Sequence, residues 1–134
     1  MRVLLDTNML VSALLEDGGY PARVVGAWRE KRYALVTSPA LLDEFRRVVQ
    51  YGRLTKRLRG REKEVAVLAA GLEILAAQSE GKLSLSVLTD PDDSSVLAAA
   101  VEGSADYLVT GNKHHFDELG GSYQGIEILS PREF

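Results

Sequence analysis

The sequence predicts a three-layer α/β/α sandwich around a mainly parallel sheet of about five strands. Short apolar runs alternate with longer, helix-length segments along the chain, as they do in α/β proteins. No repeat or linker divides the 134 residues, and the four prolines fall at the boundaries of predicted elements. The composition, 46% hydrophobic with no cysteine, fits one domain over residues 1–134 whose core needs no disulfide.

The N-terminal part of the chain predicts two strands separated by two helices. Val3-Leu4-Leu5 is a short apolar run closed by Asp6, and residues 9–15 form an apolar segment long enough for a helix. Pro21 suits a first helical turn, so a second helix is expected through Trp28. Tyr33–Thr37 is the second predicted strand.

The middle of the chain predicts two further helices and a third strand. Ser38-Pro39 has the residue types of an N-cap and a first helical residue, and the apolar side chains after it share one helix face. Those side chains are Leu41, Leu42, Phe45, Val48 and Val49. Glu64–Ala77 is almost apolar around its circumference, so it is either central core or covered by a partner. In Leu83–Val87 apolar residues alternate with serines, which predicts a short strand.

The C-terminal part completes the alternation. Asp93 is placed to cap a helix over Val96–Val101. Tyr107–Val109 and Ile126–Leu129 are the last two predicted strands, and a short helix is expected between them around Phe116–Leu119.

The net charge of −3 is unevenly distributed. Between Arg53 and Lys63, six basic residues and one acid give a local charge of +5, which leaves −8 on the remainder. The segment, with Arg53, Lys56 and Arg57 at its start, is either a phosphate-binding surface or a solvated helix edge. No window approaches the ~18 apolar residues of a membrane span, and the start is too acidic for a signal peptide. A cytoplasmic protein is expected.

Polar residues follow several of the predicted strands. Asp6 comes directly after the first strand, Asp93 lies in the connection after the third, and Asn112 lies three residues after the fourth. Glu44, about two turns into the helix after the second strand, could lean over the same crevice. In open parallel sheets the functional crevice lies beyond the carboxyl ends of the strands, so these four side chains are expected to meet there.

Three carboxylates in one cleft repel each other, and a bound divalent cation removes the conflict. Oxygen ligands favour Mg²⁺ or Mn²⁺ over zinc, and such an ion activates water for phosphodiester hydrolysis. Plainer roles remain open: Asp93 as a helix cap and Asn112, Asp90 and Asp92 as turn residues, although Asp92 is close enough to compete with Asp93. Adjacent His114 and His115 face different directions, so a two-histidine site is not expected, although His115 could touch substrate.

Four blocks of the sequence, in order, resemble the PIN-domain ribonucleases, and within them the VapC-like group of toxins in toxin–antitoxin pairs. The blocks cover nearly the whole chain. They are Val3–Leu15 around Asp-Thr-Asn, Thr37–Phe45, Asp90–Ala100 and Ala105–Phe116.

The resemblance implies a PIN-like fold and a metal-dependent endoribonuclease that uses Mg²⁺ or Mn²⁺. By position, Asp6, Glu44 and Asp93 are the family acids, and the fourth, commonly Asp, is here Asn112, which brings no charge. The resemblance also implies that Thr7, Asn8 and Ser38 either hydrogen-bond to the metal-binding carboxylates or face the substrate. Toxins of this group are similar in being homodimers that a small antitoxin inhibits, and the Glu64–Ala77 helix could supply the dimer face.

Two other interpretations stay open at this point. A noncatalytic RNA-binding or scaffold PIN-like domain would keep the basic segment without turnover, and Asn112 is its best support. A receiver-type phosphoacceptor domain also has acids at the carboxyl edge of a parallel sheet, but it needs an adjacent acidic pair after the first strand. Leu5-Asp6-Thr7 lacks that pair.

Overall fold

A computed structural model describes all of residues 1–134. The chain contains five strands, six α-helices and one 3₁₀ helix. The strands are β1 (Arg2–Leu5), β2 (Ala34–Val36), β3 (Tyr107–Val109), β4 (Ser122–Tyr123) and β5 (Ile126–Leu129). The helices are α1 (Thr7–Leu15), α2 (Tyr20–Arg29), α3 (Pro39–Val48), α4 (Gly52–Arg57), α5 (Glu62–Ala76), α6 (Pro91–Glu102) and the 3₁₀ helix Lys113–Leu119. None of these helices is long and apolar enough to cross a membrane.

The strands form one sheet in the order β2-β1-β3-β5-β4. The pairs β1/β2, β1/β3 and β3/β5 are parallel, and only the edge strand β4 is antiparallel to its neighbour. At the centre, Leu5 lies opposite Val109, so the residues that follow β1 and β3 emerge side by side at the carboxyl edge. The predicted five-strand, mainly parallel sheet is confirmed.

Two apolar cores lie on the two faces of the sheet. Val3 and Leu5 of β1 point into a core formed with α1, α2, α3 and α5. Leu4, between them, points into a second core with α6 and the 3₁₀ helix. Successive side chains of a strand alternate in direction, so a strand buried on both faces is apolar at every position. The three-layer sandwich follows from this arrangement.

The helices that approach the carboxyl edge begin with side-chain caps. Asp6 accepts a hydrogen bond from the Met9 N–H at 3.0 Å and caps α1, and Ser38 accepts one from the Leu41 N–H at 3.2 Å and caps α3. Each cap satisfies one of the free N–H groups of a first helical turn. The predicted cap at Ser38 is confirmed, and α1 begins at Thr7, two residues earlier than the apolar pattern indicates.

The third predicted strand, Leu83–Val87, is wrong. This segment is irregular, and its ends are held by side chains of α6: the Leu83 N–H donates to Glu102 at 3.1 Å, and the Leu88 N–H donates to Ser94 at 3.1 Å. The fifth strand is instead β4, which sequence reasoning missed, as it missed α4.

The predicted N-cap of α6 at Asp93 is also wrong. Asp90 occupies that position, and its carboxylate accepts a hydrogen bond from the Asp92 N–H at 2.8 Å. Pro91 follows at the first helical position, where a missing N–H costs nothing. Asp93 lies further along, in the first turn of the helix, so its carboxylate is free for another role.

Helix α5 is not buried around its circumference. Leu68, Leu72 and Ala76 pack into the first core, whereas Val67 and Ile74 on the outer face are 58% and 67% exposed. The alternative in which α5 is entirely core is therefore wrong, and an apolar strip of this helix faces outward.

Gly103 marks a close approach between α6 and β2. Its φ of −83° suits any residue, but a Cβ atom at this position would overlap Cγ1 of Val36. We expect Gly103→Ala to lower the free energy of unfolding by about 1–3 kcal/mol through overpacking. Urea denaturation checks this, with Gly26→Ala as the control, because a Cβ there meets nothing within 4 Å. Equal effects at the two glycines would contradict the steric explanation.

Candidate active site

Asp6 is the most constrained member of the candidate site. It is 8% exposed and lies between the end of β1 and the start of α1. One carboxylate oxygen accepts the Met9 N–H, and the other accepts the hydroxyl of Thr110. Burial raises the pKa of Asp6 above its usual 3.8, against the opposing effect of both hydrogen bonds, and the nearby Asp93 raises it further.

Glu44 approaches the same region from α3 and is half-buried. Burial raises its pKa above 4.5, and the charges of Asp92 and Asp6 add to that rise, while the charge of Arg47 opposes it. Glu44 therefore lies within electrostatic range of Asp6, although 38 positions separate them in the sequence. The topology brings these two acids to one edge of the sheet, as the sequence predicts.

Asp93 completes the acidic group. Its carboxylate lies 3.4 Å from Nδ1 of His115, and burial raises its pKa while a protonated His115 lowers it. The side chain of Asp93 is 17% exposed, whereas that of His115 is 42% exposed. Asp92 is exposed beside it and influences both Glu44 and Asp93. The site thus holds a fourth carboxylate in addition to the three predicted ones.

The remaining predicted residues occupy different positions. Thr7 is 3% exposed, and its hydroxyl makes no hydrogen bond; Asn8 is exposed on α1. The hydroxyl of Ser38 caps α3, which accounts for its burial. Asn112 is half-buried, and its backbone N–H donates to Thr110 at 3.0 Å, while its side chain makes no hydrogen bond. His114 and His115 pack edge to face, with ring centroids 4.4 Å apart.

The donor set suits a hard divalent cation. Every candidate ligand is an oxygen, and burial raises the pKa of all three carboxylates. The buried Thr7 hydroxyl, which has no hydrogen-bond partner, lies near Glu44. As the side chains stand, no three acidic or histidine groups converge closely enough to hold an ion. Asp6 is held by two hydrogen bonds, so Glu44 and Asp93 are the acids that would have to turn for the three to share an ion.

A family model of the PIN domain matches residues 2–114 of the chain. The chain belongs to the PIN domain family. PIN domains are generally nucleases and usually use divalent metals, so the family supports a hydrolase at a coarse level. This membership excludes the receiver-type alternative.

The PIN domain also has a distant archaeal relative. It is 26% identical over 113 residues to "Uncharacterized protein MJ1680" of Methanocaldococcus jannaschii, a match that covers 84% of this chain and 72% of that protein. No solved structure matches the chain. This relative is consistent with the family assignment, and its printed name states no activity.

Sequence reasoning missed one residue of this PIN domain site, Thr110. It is fully buried, directly after β3, and hydrogen-bonded to Asp6. A hydroxyl carries no charge, so composition and charge patterns do not reveal it. Its position could have identified it, because Thr110 directly follows β3 at the same edge of the sheet as Asp6.

The raised pKa of Asp6 should make the free energy of unfolding of the PIN domain depend on pH. The folded state holds the Asp6 proton more tightly than the unfolded chain, so this contribution is complete below pH 3.8 and is lost as the pH rises through the raised folded value. In chelator, Asp6→Asn should therefore gain stability relative to wild type as the pH rises from about 4 to 8. Urea unfolding of both proteins measures the difference, and a pH-independent difference would contradict the assignment.

Proposed function

We propose that this PIN domain is a Mg²⁺- or Mn²⁺-dependent endoribonuclease. The observation that carries the proposal is the grouping of Asp6, Glu44 and Asp93, which all have raised pKa values, at the carboxyl edge of the sheet. These carboxylates would hold the cation, and Asn112 would contribute from the neighbouring loop. A cation bound there supplies water activation and neutralises charge on a phosphate oxygen.

The protein's own groups have separate parts in this mechanism. Asp6, fixed by Met9 and Thr110, sets the position of the centre. Glu44 and Asp93 would hold the cation together with Asp6, and the shared positive charge would offset the repulsion among the three carboxylates. His115, which is more exposed than Asp93, would contact an RNA phosphate or ribose, and the exposed Asn8 lies on the helix that Asp6 caps.

Cleavage of end-labelled RNA by the purified protein tests the proposal. We expect products with Mg²⁺ or Mn²⁺, none with excess chelator, and recovery when the metal is restored. Cleavage that persists in chelator would contradict metal dependence. Absence of cleavage under all conditions would contradict the enzyme assignment.

A noncatalytic RNA-binding domain is the second candidate. Asn112 brings no charge to the fourth family position. In the structure, no three acidic or histidine side chains lie close enough together to hold an ion. RNA binding without metal-dependent turnover in the same assay would favour this function.

The basic segment supplies an RNA-binding surface under either function. Arg53, Lys56 and Arg57 are all exposed on α4, a helix with no buried residue. Changing the three to glutamine should weaken RNA binding and reduce the slope of log affinity against log salt by about 2, the value for three contacts with single-stranded RNA. The matched control changes Arg29, Lys31 and Arg32, which are exposed elsewhere. Equal slopes in both triple variants would mean that α4 is a solvated helix edge that does not contact RNA phosphates.

We further propose the biological setting that the sequence resemblance implies: a cytoplasmic toxin that forms a homodimer and is held inactive by a small antitoxin. The outward apolar strip of α5, with Val67 and Ile74, supports a covered helix face. Light scattering of wild type and Ile74→Lys tests the dimer. Induced expression with and without the adjacent open reading frame tests toxicity and neutralisation.

A further inference from the structure

Arg47 brings a positive charge to the edge of the acidic site. It follows Glu44 by three positions in α3, and residues at that spacing are neighbours on one helix surface. Side chains of a helix tilt toward its N-terminus, and α3 begins at Pro39, shortly after β2 ends at the carboxyl edge of the sheet. Arg47 therefore extends back toward the acids, where its charge opposes the rise in the pKa of Glu44.

The two adjacent arginines of α3 differ in what they contact. Arg46 donates a hydrogen bond to Glu73 of α5 at 3.1 Å and forms an ion pair with it. Arg47 is exposed, and its side chain takes part in no hydrogen bond or ion pair. A guanidinium has five N–H donors in a planar fork that matches two oxygens of a phosphate. All five donors of Arg47 are therefore available to a ligand.

Arg47 also lies at the start of a long basic stretch that ends at the acids. No acidic residue lies between Glu44 and Glu62, while seven basic residues do: Arg46, Arg47, Arg53, Lys56, Arg57, Arg59 and Arg61. Tyr51, between Arg47 and α4, is 57% exposed and offers an aromatic ring on which a base can stack. Exposed groups suited to a single RNA strand thus continue from α4 to Glu44 without an intervening negative charge.

We propose that Arg47 binds the RNA phosphate next to the one that is cleaved, and so connects the basic surface of α4 to the acidic site. This inference rests on the proposed function, because it takes an RNA strand across the acids as the ligand. The carboxylates around Glu44 repel a polyanion, and a shared cation neutralises charge only at the cleaved phosphate. The guanidinium beside Glu44 offsets the repulsion for the neighbouring phosphate.

Arg47→Gln should raise KM for RNA by about 10-fold and leave kcat near the wild-type value, because a contact with a phosphate that does not react is equally strong in substrate and transition state. Arg47→Lys keeps the charge without the paired hydrogen bonds and should lie between the two. Arg46→Gln is the matched control, with KM unchanged. Steady-state cleavage of a short single-stranded RNA gives both constants.

Mn²⁺ affinity, measured by calorimetry, separates phosphate binding from a structural role for Arg47. Removing a cation beside Glu44 should leave Mn²⁺ affinity in Arg47→Gln at the wild-type value or raise it by up to about fivefold. If Arg47 instead served to hold α3 in place, its loss would weaken Mn²⁺ and RNA binding together. A fall in Mn²⁺ affinity would therefore overturn the proposal.

Neutral methylphosphonate linkages locate the contact. One linkage at a time is substituted along the RNA, and binding is measured in chelator so that no cleavage occurs. In wild type, substitution at the linkage beside the cut should weaken binding by about 10-fold, and in Arg47→Gln the same substitution should have no further effect. Arg46→Gln should keep the wild-type pattern.

The outcomes distinguish this inference from the proposed function. Coupling between Arg47 and one linkage without metal-dependent cleavage would overturn the nuclease and leave Arg47 as a phosphate contact. Metal-dependent cleavage with an unchanged KM in Arg47→Gln, or with the same linkage pattern in both proteins, would overturn the Arg47 contact alone. Wild-type protein that neither binds nor cleaves RNA would overturn both.

Discussion

Asp6→Asn is expected to reduce metal-dependent RNA cleavage by roughly 100-fold or more while leaving the fold intact, because losing a ligand should cost at least as much as the 10- to 100-fold lost when a group that only orients a ligand is removed. Asp6 is the acid that the structure holds most firmly, with hydrogen bonds from Met9 and Thr110. Asparagine keeps a carbonyl oxygen but loses the negative charge that a cation requires. It is also as good an N-cap as aspartate, so α1 should still begin at Thr7.

Initial cleavage rates with Mg²⁺ or Mn²⁺ measure the loss, and thermal unfolding of the same samples measures the fold. Asp43→Asn is the matched control, because it removes an equal charge from an exposed position beside Glu44. We expect full activity in that variant. Normal cleavage by folded Asp6→Asn would remove Asp6 from the metal site and with it the central argument of the mechanism.

The sequence predicts the buried strands well because both faces of the sheet are covered. Val3–Leu5 and Tyr107–Val109 are apolar at every position, which is the pattern of strands between two helical layers. Leu83–Val87 has the local pattern of a strand but forms none. A strand also needs a neighbouring strand whose backbone groups are free to pair with it. Here the backbone N–H groups at the two ends of the segment donate to the side chains of Glu102 and Ser94 instead.

The site is predicted to the extent that topology decides it. Residues after parallel strands meet at one edge, so Asp6, after β1, could be placed there from the order of elements. Asp93 was placed at the same edge from the predicted strand Leu83–Val87, which the structure lacks, and the first turn of α6 carries it instead. Hydrogen-bond direction could not be predicted, since the link from Asn112 through Thr110 to Asp6 depends on the register of β1 and β3. The N-cap of α6 could have been predicted from the sequence, because Pro91 suits the first helical position and the residue before it, Asp90, is then the cap.

Phe45→Ala is expected to produce the opposite pattern to Asp6→Asn, a large loss of stability with the chemistry retained. Phe45 is 0% exposed in the core between the sheet and α1, α3 and α5. Removing the ring leaves a cavity and should cost about 3–5 kcal/mol in the free energy of unfolding. For a domain of this size, that loss lowers Tm by roughly 10–20 °C.

Calorimetry measures the change in Tm, and Asp43→Ala on the exposed side of α3 is the control, with an expected effect within about 0.5 kcal/mol. Phe45 follows Glu44 in α3, but its side chain is fully buried in the apolar core, whereas Glu44 is half-buried. Well below its own Tm, the Phe45→Ala variant should therefore cleave RNA at a rate set by its folded fraction. Loss of cleavage while the variant is fully folded would show instead that the packing of α3 positions Glu44, and the acid would then depend on Phe45 as Asp6 depends on Thr110.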